Sequence, residues 1–315
     1  MATFAKTSFD AAVYAASRPT YPKALFQFIF DYHERGVGAL PRGPANHSSA
    51  RYQLAVDLGC GTGQATTALH PFKRVIGVEP GEGMVEKAKS YIQEYLGGAN
   101  TSQFDFVQSS AEQLDFLEDE SVDLVISAQA AHWFDWNKQW REISRVLRPG
   151  GTIGFWTYSE FRLPQYPSLT PLITHYLQGR TILERHLIDI PEPEQVLGSG
   201  RMTNTDRVYF SGPYQEAAPS ESPSPKSPTI LPVVLRTQTT WNGLLGYFHT
   251  FSSLHTYLEQ NPDDAKVHDG KSVAERTWEK LMQAATEESG KAGSIKGEDE
   301  LMVEWPVAMI LAKKL

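Results

Sequence analysis

The chain has 315 residues, a formal net charge of −8, a single cysteine, and 41% hydrophobic against 21% charged residues. That balance supports a large buried core and excludes disorder as the overall state, while an acidic chain lacks the clustered Lys and Arg that sequence-independent binding to phosphate backbones requires. No stretch approaches the ~20 apolar residues of a membrane span, MATFAKTSFDAAVY lacks a secretory apolar region, and Cys60 alone forms neither an internal disulfide nor a cysteine cluster, so a cytoplasmic protein without nucleic-acid or membrane partners is expected.

Residues 1–45 read as an N-terminal helical arm: an aromatic start closing on RPTYP, a helix at KALFQFIFDYHERG, then a Gly/Pro/Ser-rich connection. Residues 46–159 form the regular core. LAVDLGC is a continuous apolar strand buried on both faces, and GTGQATTALHPF reads as the turn and helix after it. RVIGVE is the second strand, followed by a helix near GEGMVEKAKSYIQEYLGG, with DFVQSS and VDLVISA the third and fourth strands. WNKQWREISRVL is a helix with Asp135 as N-cap, and TIGFWTY is the fifth strand. Strand and helix alternating on short links predict a parallel, doubly wound sheet.

Residues 160–230 lose this regularity and read as a cap insertion, in which the Pro/Ser-rich PYQEAAPSESPSPKSPT, about 213–230, is expected to be a mobile surface loop. Residues 231–315 are expected to complete the core sheet: a strand in PVVLRTQTTW, a helix near GLLGYFHTFSSLHTYLEQ, another across SVAERTWEKLMQAATEE, and a final strand in LMVEWPVAMILAKK. His249 and His255, six residues apart, would lie on different helix faces, which disfavours a shared metal site.

The chemistry concentrates in VDLGCGTG, residues 56–63, where a buried strand runs into Gly59, Gly61 and Gly63. Glycine accepts positive φ and lets backbone approach a ligand, and the N–H groups that follow favour a nucleotide-like molecule. Glu79 closes the second strand twenty residues beyond Gly59, where Rossmann-like folds place a carboxylate for ribose hydroxyls; the alternative is a solvated strand-end charge. The order GxGxG preceded by Asp57 differs from the dinucleotide GxGxxG. A carboxylate there repels a pyrophosphate and suits an ammonium, which separates S-adenosylmethionine from NAD.

VDLGCGTG, VIGVEP and LRPGGTIGFW resemble the successive motifs of class I S-adenosylmethionine-dependent methyltransferases, over roughly residues 50–158. YAASRPTYP, HWFDW, TFSSLHTYLEQNPDDA and VEWPVAMILAKK are similar to fungal trans-aconitate methyltransferase-like enzymes, over most of the chain. The resemblance implies an α/β, Rossmann-like, seven-stranded fold with its last strand antiparallel, an N-terminal helical arm and an inserted cap. It implies S-adenosylmethionine as cofactor, S-adenosylhomocysteine as product and no metal. It also implies methyl transfer to a small-molecule acceptor, at a carboxylate or hydroxyl oxygen of an organic acid or secondary metabolite.

By the same resemblance, Asp57, Gly59, Gly61 and Gly63 line the methionine part of the donor, and Glu79 with Pro80 holds the ribose. Ser110, Ala111 and Glu112 flank the adenine, with Ser110 standing where many relatives carry Asp. Tyr14, Arg18 and Tyr21 resemble a lid over the donor. Gln129 and His132 follow the fourth strand at the ligand-binding edge, and two readings of His132 stand: an acceptor-side hydrogen bond or base, or a histidine that only supports the fold. Trp133 and Phe134 are candidates for the donor pocket wall, whereas Trp136 and Trp140 share helical spacing with Ile143 and read as core. Two rival functions are a catalytically silent S-adenosylmethionine-binding regulator and an NAD(P)-dependent oxidoreductase.

Overall fold

A computed structural model gives the fold and describes residues 19–35, 50–98, 101–177, 190–213, 229–290 and 294–315. The chain divides into two compact units. One is drawn from within 21–159, 182–234 and 306–315 and holds an eight-stranded sheet; the other, from 160–181 and 235–305 with residues before 21, holds a two-stranded ribbon.

In the first unit, helix α1 (Lys23–Glu34) precedes β1 (Leu54–Leu58), β2 (Arg74–Glu79), α2 (Glu82–Tyr95), β3 (Phe104–Gln108) and β4 (Val122–Ala128). Helix α3 (Trp136–Val146) and the long β5 (Leu147–Tyr158) follow. Apolar residues at i, i+3 and i+4 lay each long helix on the sheet: Leu25, Phe26, Ile29 and Tyr32 in α1, Met84, Val85, Ala88 and Ile92 in α2, Trp140 and Ile143 in α3. Asp135 caps α3 as expected, its side chain accepting from the N–H groups of Asn137 and Lys138.

The sheet order is β3-β2-β1-β4-β5-β10-β6-β7, where β6 is Asp206–Gly212, β7 Thr229–Pro232 and β10 Val307–Lys313. Neighbours run parallel except β10, which is antiparallel to both β5 and β6. The single reversed strand matches expectation. One strand exceeds the expected seven, because β7 adds to the free edge of β6. A short helix α5 (Pro193–Leu197), with a capping box between Glu192 and Gln195, lies before β6.

Two expected elements differ near β1 and at the chain end. The helix after the glycine turn is only a 3₁₀ turn, Thr66–Leu69, because β-branched threonines and Pro71 leave little to propagate a longer helix. The expected final strand is two, β9 (Glu300–Trp305) and β10, split at Pro306, which supplies no ladder N–H. The stretch 231–315 thus gives the sheet only β10 and the end of β7; residues 235–305 build the other unit.

In that unit, β8 (Leu235–Thr240) pairs antiparallel with β9. Helix α4 (Thr170–Leu177) is followed, after β8, by α6 (Trp241–His249), α7 (Ser252–Gln260) and α8 (Val273–Ser289). The single helix expected over GLLGYFHTFSSLHTYLEQ is α6 and α7, interrupted at Thr250 and Phe251. Its core is aromatic: Phe161, Tyr247, Phe248, Phe251 and Trp305 pack together, and Trp305 Nε1 donates to Tyr247 Oη at 3.0 Å. His255 Nε2 lies 3.0 Å from the His249 carbonyl, so the two histidines join consecutive helices. The Pro/Ser-rich stretch lies largely outside the described residues.

Candidate active site

The carboxyl ends of β1, β2 and β4 converge on the glycine turn. Gly59 takes φ +67°, and its N–H and that of Cys60 both donate to the Val78 carbonyl, at 2.8 and 3.0 Å. A Cβ at Gly59 would meet the Ala130 Cβ at 2.4 Å, so only glycine lets this turn pass under the loop after β4. Gly61 is the opposite case: at φ +55° its Cβ position is open for 4 Å, leaving bare backbone toward a ligand. Gly63 serves packing, its Cβ position lying 3.4 Å from Ala88 of α2.

Asp57 is fully buried at the end of β1. Its Oδ2 accepts from Thr66 Oγ1 at 2.7 Å, while Oδ1 has no hydrogen-bond partner among the described residues. Burial raises its pKa to about 7, the Thr66 bond opposes that, and the nearby Glu79 charge adds to it. Glu79 is held on both sides: Oε2 accepts from Gly61 N and Oε1 from Gly81 N, each at 3.1 Å. Burial raises its pKa, and these two N–H donors pull it back. Glu79 therefore shapes the turn as well as facing it, a role that spacing alone did not indicate. Pro80 is exposed, its carbonyl accepting from Gln108 Nε2 at 3.3 Å.

An unsatisfied buried carboxylate oxygen, an open backbone cradle and a second carboxylate with lone pairs remaining suit a ligand that carries an ammonium and vicinal hydroxyls. The residues present fit the amino-acid and ribose parts of S-adenosylmethionine, with Asp57 and Glu79 as the respective acceptors. A pyrophosphate would face two carboxylates and no lysine or arginine of the turn.

After β3, Ser110 is half-buried and Ala111 packs into the main core beside Leu114 and Leu117. Glu112 Oε1 accepts from Asp135 N at 2.9 Å, tying this loop to the start of α3. Among the described residues, no group of three or more His, Cys, Asp or Glu is placed to hold a metal.

Gln129, just past β4, holds φ +60°, a strained conformation for a residue with a side chain. Its N–H donates to the Trp156 carbonyl and its Oε1 accepts from Thr157 Oγ1, both at 2.9 Å, while the buried Nε2 has no partner among the described residues. His132 lies half-buried in the 3₁₀ turn Ala131–Trp133, its ring 5.0 Å from that of Trp133. Trp133 points outward, 67% exposed, whereas Phe134 and Trp136 pack on Phe155 and Trp140 is wholly buried, donating Nε1 to the Pro191 carbonyl. Tyr21 stacks edge-on against Phe26 and Trp156. Tyr14 and Arg18 lie outside the described residues.

Thr66 and Thr157 escaped sequence reasoning. Each orients a site residue through a hydroxyl, Thr66 from nine positions along the chain and Thr157 from another strand, and nothing in the local pattern marks either.

Residues 56–155 match the family described as "Methyltransferase domain". A Dictyostelium discoideum protein named a methyltransferase is 28% identical over 302 residues, covering 96% of this chain and 92% of its own length. A Saccharomyces cerevisiae protein named an S-adenosylmethionine-dependent methyltransferase is 30% identical over 188 residues, and there the chain spans 58% of the relative. A solved structure described as a type II methyltransferase from Anaeromyxobacter dehalogenans has the same fold, with a TM-score of 0.54 at 24% identity, covering 94% of this chain and 97% of that one. The sheet order, the glycine turn and its two carboxylates agree with these likenesses: residues 56–155 are similar to a methyltransferase domain, and the chain has relatives named as methyltransferases.

Proposed function

We propose that the chain methylates an oxygen, carboxylate or hydroxyl, of a small organic acid, as the fungal trans-aconitate methyltransferase-like enzymes it resembles would. The observation that carries this reading is Gln129 Nε2, a buried amide donor without a protein partner at the carboxyl end of β4. Leaving such a donor unpaired costs about 1–3 kcal/mol, so it suits an acceptor atom that the described residues do not supply, and an anionic oxygen is the strongest one.

When bound, the donor supplies a methyl group already activated by the positive charge on sulfur. The chain has then to align an oxygen in line with that methyl and keep water out. Thr157 fixes the Gln129 amide so that Nε2 is its free end. A carboxylate is anionic at neutral pH and needs only this alignment, whereas a hydroxyl needs His132 to take its proton as the C–S bond breaks and the O–C bond forms. In this reading Asp57, Gly59, Gly61, Glu79 and the Ser110–Glu112 loop hold the donor, and the acceptor is a free metabolite in the cytoplasm. The net charge of −8 supports an acceptor other than nucleic acid.

The test uses labelled S-adenosylmethionine with a panel of small mono-, di- and tricarboxylic acids. The expected product is a base-labile methyl ester, or a base-stable ether in the hydroxyl case. Label found only on nitrogen or carbon sinks the proposal. His132→Ala is expected to lower turnover more than donor affinity on a hydroxyl acceptor and to leave ester formation nearly intact.

A further inference from the structure

The first unit carries a second recess, far from the glycine turn. It lies at the amino ends of the parallel strands, where the loop before β4, the last turns of α3, helix α5 and the chain end after β10 meet around a cavity of about 580 Å³. That volume falls in the range of small-molecule sites. β4 alone separates it from Gln129, about 20 Å at strand rise.

The wall contains four cations and two carboxylates, and the pairing among them is uneven. Arg145 is fully occupied: it pairs with Asp119 and Glu142 at 2.8 Å and donates to the Leu114 and Leu117 carbonyls at 2.9 Å. Lys314 pairs with Glu120 at 2.9 Å. Both carboxylates of the wall are thereby matched. Arg141 and Arg201 line the same cavity, and among the described residues neither guanidinium group pairs with a carboxylate. Ser144, three residues after Arg141 on α3, lines the same wall; it is only 7% exposed, and its hydroxyl makes no hydrogen bond among the described residues. Val196 and Leu197 of α5 supply an apolar side.

Two planar guanidinium forks and a hydroxyl that can donate suit an anion with several oxygens, and they gather positive charge on a chain that is otherwise acidic. We propose that this recess binds an organic phosphate monoester, with the phosphate on Arg141, Arg201 and Ser144 and the carbon skeleton against Val196 and Leu197. The site is independent of methyl transfer. It adjoins the donor region mechanically, because Arg145, its rigid wall, also pins the loop that begins at Ser110.

Titration calorimetry on the full chain with glucose 6-phosphate, inorganic phosphate and citrate tests this. Glucose 6-phosphate is expected to bind one site, at least tenfold more tightly than inorganic phosphate, with affinity falling as salt rises and unchanged by saturating S-adenosylhomocysteine. The double variant Arg141→Gln/Arg201→Gln removes two exposed side chains, so its unfolding temperature should hold while its Kd rises at least tenfold; Ser144→Ala should give a smaller rise. No heat from any anion overturns the proposal. So do equal affinity in the double variant, displacement by S-adenosylhomocysteine, equal binding of inorganic phosphate, or tighter binding of citrate.

Discussion

At its carboxyl end the eight-stranded sheet buries Asp57 with one oxygen unpaired and Gln129 with its amide nitrogen unpaired. At its amino end it buries Asp123 and leaves nothing over: Oδ1 pairs with Arg148, itself 4% exposed, and Oδ2 accepts from Gln53 N at 2.8 Å and Leu54 N at 3.0 Å. His33 and Lys313 are satisfied there too, His33 by Thr152 and the Arg51 carbonyl, and Lys313 by the His33 carbonyl at 2.8 Å. Burial lowers the His33 pKa to about 4 and that of Lys313 to about 8, the latter with help from the Arg148 charge. One end spends its buried polar groups on holding the strands together; the other leaves two of them with an atom unpaired among the described residues. Structural and functional burial are told apart here by the partners of each group, since the degree of burial is alike.

The largest effect expected of this contrast is at the amino end. Asp123→Ala strands a buried Arg148 and should destabilise the fold by about 3–5 kcal/mol in chemical denaturation. A loss under about 1 kcal/mol would erase the distinction between the two ends. Next comes Glu79→Ala, which removes acceptors for Gly61 N and Gly81 N as well as the carboxylate proposed to hold the ribose. Charge-assisted bonds of about 1.5–3 kcal/mol predict roughly a ten- to hundredfold loss of S-adenosylhomocysteine affinity by calorimetry, with a smaller shift in unfolding than Asp123→Ala. Unchanged affinity would take Glu79 out of the site.

Asp57→Asn sharpens the comparison, since Thr66 can still donate to the amide oxygen. Donor affinity should fall about tenfold, about 1.4 kcal/mol, while stability holds or rises. The pH dependence has a definite sign. With a folded pKa near 7 against an ordinary value of 3.8, Asp57 binds its proton more tightly in the folded chain, so the ligand-free protein is favoured at low pH and loses that contribution between about pH 4 and 7. The unfolding free energy of Asp57→Asn minus that of the parent should therefore grow across this window and level off above it; His33 titrates alike in both and cancels. A flat difference would mean that Asp57 is no strained carboxylate. The smallest effect belongs to α3, which runs from one end of the sheet to the other: Asp135→Ala removes its cap and should cost about 1 kcal/mol of unfolding free energy.

How much of this was legible in the residues differs by region. The strands of 46–159, their parallel order and the glycine turn follow from patterns within ten or twenty residues, because a buried parallel strand is apolar throughout and a tight turn under a neighbouring loop excludes a Cβ. The proposed donor roles of Asp57 and Glu79 rest on two carboxylates that the turn places at readable spacing. Residues 160–181 and 235–305 were not legible as one unit, since their association joins segments separated by more than fifty residues and no local period records it. The split of the last strand at Pro306 was written in the chain, yet which sheet each half joins was not.

The sequence by itself determined where backbone lies bare at a glycine turn and which two carboxylates stand beside it, because steric permission and charge are properties of the residues themselves. Only the tertiary structure decided that Asp57 and Gln129 keep an atom unpaired while Asp123 keeps none, and that Arg141 and Arg201 share one recess. Whether a polar group is satisfied depends on what the rest of the chain brings within 3 Å of it, and no stretch of sequence contains that distance.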